Sequence, residues 1–226
     1  MKRILAYVTA GALALAALPA AAAGTATLEM ENTTKQSMES MSYVWNDAGA
    51  ARMGMPGEAG YMVVRDGATY MVSGSGADAM VIDLGSLQKM MGDKQKSGTG
   101  FGDTEVISVD ATGETETVAG ISGEVYDLKW RQEGSVEEAR AVLSDHPLAF
   151  ELTRGWATMA DAFGTGPEAD KDGLMRMLMD RELGLLKVEG KFEIAEISDT
   201  EPDAALFELP AEPMTFQEYI QKQMQQ

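Results

Sequence analysis

The sequence contains no cysteine and only one histidine, His146. Without cysteine there can be no disulfide, no thiolate metal site, no thiol nucleophile and no lipid-modified N-terminal cysteine. Such a chain suits an oxidising compartment, where nothing can mispair. A single histidine leaves a zinc site short of its usual three or four ligands. His146 stands beside Asp145 at an expected helix start and reads as a surface residue of the cap, with Asp145 able to cap the first amides. Basic residues are also scarce, 18 Lys and Arg against 36 Asp and Glu. A surface this acidic repels nucleic acid and anionic lipid headgroups, so neither is an expected partner.

The signatures of catalysis are missing too. No serine has glycines two before and two after it; Gly120-Ile121-Ser122-Gly123-Glu124 comes nearest and fails at its last position. There is no phosphate loop. Gly74-Ser75-Gly76 begins like a dinucleotide fingerprint but lacks the third glycine. The acidic residues are too many for any pair to stand out as acid and base. The chain therefore reads as no enzyme, with no cofactor and no metal site.

What is present begins with residues 1–23, MKRILAYVTAGALALAALPAAAA. A charged start at Lys2 and Arg3, a short apolar run and Ala21-Ala22-Ala23 fit a secretory signal peptide with cleavage after Ala23. Its loss takes the formal charge from −18 to −20 and places residues 24–226 in the periplasm or outside the cell. No later stretch approaches the roughly 20 apolar residues needed to cross a bilayer, so no stable membrane insertion is expected.

Beyond residue 24, turn chemistry recurs between short segments of alternating pattern, as in an antiparallel meander. Strands are expected at 26–32, 38–46, 51–55, 61–64, 69–72 and 80–83. Arg65-Asp66-Gly67-Ala68 is a strong hairpin signal. A short helix is expected at 84–92, capped by Ser86, then a glycine-rich loop at 93–103 suited to a lid. Further strands are expected at 105–109 and 116–118, around a turn at 111–114, and at 124–130 and 136–143. Leu148, Leu152, Trp156, Met159 and Phe163 recur at helical spacing. Strands at 174–180, 185–189 and 191–197 follow. Thr215 and Glu218 form a capping box for a last helix at 215–224.

The 17 methionines admit two meanings. Thioethers ligate Cu(I), and Met38/Met41, Met53/Met55 and Met175/Met177/Met179 are the sets to test. Met also fills irregular apolar space. Met175, Met177 and Met179 alternate with Arg176, Leu178 and Asp180, and no histidine accompanies any set, which favours inward-facing apolar residues on a strand.

Three stretches carry a resemblance: VIDLGSLQKMMG (81–92), ETVAGISGEVYDLKW (116–130) and PDAALFELP (202–210). In this order they resemble an uncharacterised family of secreted bacterial domains, similar in build to the Lol-type lipoprotein carriers. That resemblance implies a half-barrel whose curved sheet wraps over helices and encloses an apolar cavity. Gly123 stands about where relatives often carry a cysteine. It implies no catalytic residues. Locally, PDAALFELP puts Leu206 and Phe207 on the core, with Phe207 plugging one end of the sheet.

The expected architecture is a single β-dominated α+β domain, one curved antiparallel sheet of about ten strands with one long and two short helices. The expected role is non-catalytic binding of an apolar small molecule, lipid or acyl chain. Its wall would be Tyr43, Trp45, Met62, Val64, Tyr126, Leu128, Trp130, Met175, Met177 and Met179, closed by Leu152 and Trp156 of the long helix. The alternatives are a methionine-based Cu(I) protein and a structural or interaction protein with a self-filled core. Mass spectrometry of secreted protein is expected to find a chain beginning at Gly24; a mature form retaining Met1 would overturn the leader assignment.

Overall fold

The computed structural model describes residues 23–32, 35–55, 60–86, 104–132, 134–161, 166 and 173–224. The leader up to residue 22 and the loop 93–103 lie outside the described residues.

Among the described residues, twelve strands form one curved, open sheet. A first meander runs through β1 (Gly24–Asn32), β2 (Ser37–Trp45), β3 (Ala51–Gly54), β4 (Tyr61–Arg65), β5 (Ala68–Ser73) and β6 (Met80–Asp83). A second runs through β7 (Thr104–Val118), β8 (Ile121–Gln132), β9 (Ser135–Ser144), β10 (Gly184–Val188) and β11 (Phe192–Ser198). The meanders join where β1 pairs antiparallel with β11, Ala26 opposite Ile197. β12 (Met214–Thr215) adds itself parallel to β6. The α-helices that lie wholly within the described residues are α1 (Pro147–Asp161), α2 (Leu174–Arg181) and α3 (Phe216–Gln223). The expected half-barrel class is therefore observed, with two strands more than expected.

The Asp-Gly hairpin forms as its chemistry dictates. Asp66 and Gly67 both take positive φ, 52° and 73°, and Arg65 faces Ala68. The turn expected at 111–114 does not form. β7 runs straight through it, with irregular pairing between Ala111 and Thr115 that absorbs Gly113 at φ 79°. The reversal comes at Ala119-Gly120, φ 48° and 83°, with Val118 opposite Ile121. Gly123 is a close-packing position, since an added Cβ would meet Val142 Cγ1 at 2.6 Å and the Leu143 carbonyl oxygen at 2.7 Å.

The strand expected at 174–180 is instead helix α2, and this overturns the strand assignment of Met175, Met177 and Met179. Alternation by two fails at Leu178, whereas Leu174, Met175 and Leu178 fit a helical stripe, and these are the buried residues. Arg181 lies in the last turn, and Glu182 closes the helix in the left-handed region at φ 54°. At the start of α1 the cap is His146 rather than Asp145: Leu148 N–H donates to His146 Nδ1 at 3.3 Å. Residues 84–86 are helical; the remainder of the helix expected at 84–92 lies outside the described residues. Ser86 does not act as that helix's N-cap. Asp83 Oδ1 accepts the Gly85 N–H, while Ser86 Oγ donates to the Asp83 carbonyl and accepts from Phe216 N–H. The capping box of α3 is present, with Thr215 and Glu218 reciprocally bonded.

Phe207 is buried, but on the outer face of β3 and β4 rather than at a sheet end. A 3-10 turn (Ala204–Phe207) lies there. Arg52 donates to the Leu206 carbonyl and Arg65 to the Phe207 carbonyl, each at 3.2 Å. Arg52 also lies 3.6 Å above the Tyr61 ring, a cation–π contact.

On the inner face, α1 crosses β10 at Gly184, where an added Cβ would stand 2.3 Å from the Ala149 carbonyl carbon. The pairing of β10 with β9 shifts between Leu185 and Lys187. The Leu185 N–H is taken up by Thr153 Oγ1 at 2.9 Å, and that hydroxyl donates to the Ala149 carbonyl at 2.9 Å. Thr153 is 1% exposed, so water does not replace it. Thr153→Val is expected to lower unfolding free energy by about 1–3 kcal/mol, because the Leu185 amide loses its partner. Thr153→Ser should retain most of the stability; denaturant melts of both variants check this.

Candidate ligand-binding face

β2 places Tyr43 and Trp45 on the inner face because side chains two apart share a side of the strand. The register then brings methionines into line. Tyr43 faces Met53, Met53 faces Met62, Met62 faces Met71, Met71 faces Ile82, and Ile82 faces Met214. Residues directly opposite one another lie on one face with Cβ atoms about 4.5–5.5 Å apart. Met41 and Met80 flank the row two residues along β2 and β6. Met62 is 9% exposed, while Met53, Met71, Met41, Met80 and Met214 are half-buried. One half of the inner face therefore presents flexible thioether side chains that are incompletely covered.

The other half is filled. Leu152 and Met159 of α1 and Leu174, Met175 and Leu178 of α2 are buried in one cluster with Leu28, Phe192 and Ile194. All twelve residues expected to line a ligand site belong to this continuous interior. Tyr43, Trp45, Met62, Val64, Leu128, Leu152 and Met175 are buried in it; Tyr126, Trp130, Trp156, Met177 and Met179 pack against it partly buried. The Trp156 ring lies 5.0 Å from that of Phe192. Lys191 Nζ sits 5.6 Å above the Trp130 ring. The Tyr126 hydroxyl donates to Glu124 at 2.6 Å, a bond that raises its pKa.

Sequence reasoning named Met53 only in a copper set with Met55 and not on the ligand wall, and it missed Met71 and Gly155. Gly155 sits in mid-helix, where glycine costs about 1 kcal/mol relative to alanine. The space below it explains it: a Cβ there would stand 2.3 Å from the Tyr43 hydroxyl. That hydroxyl and the Trp45 indole N–H are buried and have no hydrogen-bond partner among the described residues. The two rings lie 5.8 Å apart. Burial pushes the Tyr43 phenol far above its ordinary pKa, so it stays neutral and remains a donor. A cleft of about 380 Å³ opens on the same seam, lined by Trp45, Val64, Glu151, Arg154, Gly155 and Thr158 with the turn at 46–51. On its rim Arg154 is paired with Glu151.

The Cu(I) sets meet this geometry unevenly. Met38 and Met41 lie three apart in β2 and so on opposite faces. Met175, Met177 and Met179 lie on a helix, where 175 and 179 share a side and 177 does not. Among the described residues no group of three or more His, Cys, Asp or Glu could hold a metal ion, and no helix is long and apolar enough to cross a membrane.

No family model, curated protein or solved structure matches the chain. The resemblance to secreted carriers rests on the quoted motifs alone. Replacing Met175, Met177 and Met179 together by leucine should preserve the fold, at a cost below about 1.5 kcal/mol for each swap. Circular dichroism melts measure that cost, and a loss of helix signal would contradict the apolar role.

Proposed function

We propose that this is a non-catalytic binding protein of the periplasm or the extracellular space that holds an apolar ligand, a lipid or acyl chain, against the inner face of its sheet. The observation that carries this is the row Met53, Met62 and Met71 with its half-buried flanks Met41, Met80 and Met214. Methionine adapts its shape to what it touches, which suits flexible apolar chains of variable outline. The strongly acidic surface keeps such a carrier soluble while an apolar strip remains available.

A second reading takes the same three thioethers as a ligand set for Cu(I), since they stand on adjacent strands in direct register. Leucine separates the two, because it keeps the apolar face and removes the sulfur. The mature chain should bind the neutral dye N-phenyl-1-naphthylamine at about one per chain, with a rise in melting temperature as dye is added. Met53→Leu/Met62→Leu/Met71→Leu should retain that binding, and Met71→Lys should abolish it while the protein stays folded. Absence of dye binding at micromolar concentration would leave a self-filled structural domain. Tight Cu(I) binding lost in the leucine variant would favour the metal.

A further inference from the structure

The Tyr43 hydroxyl and the Trp45 indole N–H are two buried hydrogen-bond donors without acceptors among the described residues, side by side at one end of the methionine row. An unpaired buried donor carries a desolvation cost of about 1–3 kcal/mol, so two of them in one place call for an explanation. Their position supplies one. Tyr43 opens the row that continues through Met53, Met62 and Met71, three strand spacings of about 4.8 Å each. Above them α1 carries Gly155, whose missing side chain lets the helix pack directly on the Tyr43 hydroxyl, 2.3 Å from where a Cβ would stand. A cleft lined by Trp45 and Gly155 opens to solvent beside this pair.

Resting on the apolar-ligand reading, we infer that the ligand is an amphiphile with an oxygen-acceptor head, an acyl carbonyl or carboxyl group. It lies across the strands with its head at Tyr43 and Trp45 and its chain along Met53, Met62 and Met71. Both protein groups can donate, and neither carries charge. A head that brings an acceptor satisfies them; one that brings only donors leaves the indole unpaired. Because Tyr43 is fully buried in the unliganded fold, the head reaches it as α1 shifts outward at Gly155. Polar specificity then sits at the seam and apolar tolerance along the row, the usual division of labour in a small-molecule site.

This gives Tyr43→Phe a paired signature. Removing the hydroxyl relieves an unpaired buried group, so the unliganded variant should melt about 2–4 °C higher than wild type. The same change should weaken binding of dodecanoic acid and of its neutral glycerol monoester about threefold to tenfold. Both are read by displacement of N-phenyl-1-naphthylamine, which has no oxygen acceptor and whose own affinity should not change. Trp45→Phe, which removes the second donor, should weaken the same acyl ligands by a larger factor than the dye. n-Octylbenzene, apolar and without an acceptor, should follow the dye in wild type and both variants rather than the acyl ligands. If dye binding is intact but acyl affinity is unchanged in both variants, the head assignment fails and the apolar-ligand reading stands. A Tyr43→Phe melting temperature at or below that of wild type would show that the hydroxyl already has a partner, which also overturns the head assignment. If the wild type binds neither dye nor acyl chain, both readings fall together.

Discussion

The pairing of β1 with β11 is the constraint on which the rest of the structure depends. The first meander is built from short connections, and the second carries α1 and α2 between β9 and β10. β1 hydrogen-bonds to β2 on one side and β11 on the other, so one strand welds two half-sheets into a curved whole. Only then do Leu28 of β1, Phe192 and Ile194 of β11 and the helices α1 and α2 share one buried cluster. The contact spans most of the chain, and contacts of such sequence separation are slow to form.

Much of the fold was legible because turns and alternation are local. Asp66-Gly67 specified its own hairpin, and the Thr215/Glu218 box specified the start of α3. The misses arose where two local patterns competed. In 174–180 three methionines at even spacing imitated a strand, while the helical stripe Leu174, Met175 and Leu178 shared Met175 with that pattern. At 111–114 a turn-rich run became a bulge because the flanking strand paired on both sides of it. Asp145 and His146 offered rival caps within one residue, and nothing in the sequence ranked them.

The candidate site was legible only in outline. Tyr43, Trp45 and Met62 were assigned inward and are buried. The link from Met62 to Met71 follows from the Asp66-Gly67 turn, by counting outward equally on both arms of the hairpin. The link from Met53 to Met62 does not follow from any tight turn of that kind. Gly155 carried a signal of a different sort, a helix-weakening residue inside an otherwise good helix, whose reason lies on another strand. The two unpaired donors were beyond sequence reading altogether, because partnership is decided by which atoms arrive nearby.

The outer layer has its own consequence. Val63, Val72 and Val81 are fully buried on the side of the sheet where Arg52 and Arg65 hold the 3-10 turn at 204–207. That roof is encoded more than a hundred residues after the strands it shelters. Until residues 204–207 have been made, the outer side of β3 and β4 lacks that cover. Timing is therefore written into the layering. The early strands are the first to be made, and their outer side is among the last to be finished.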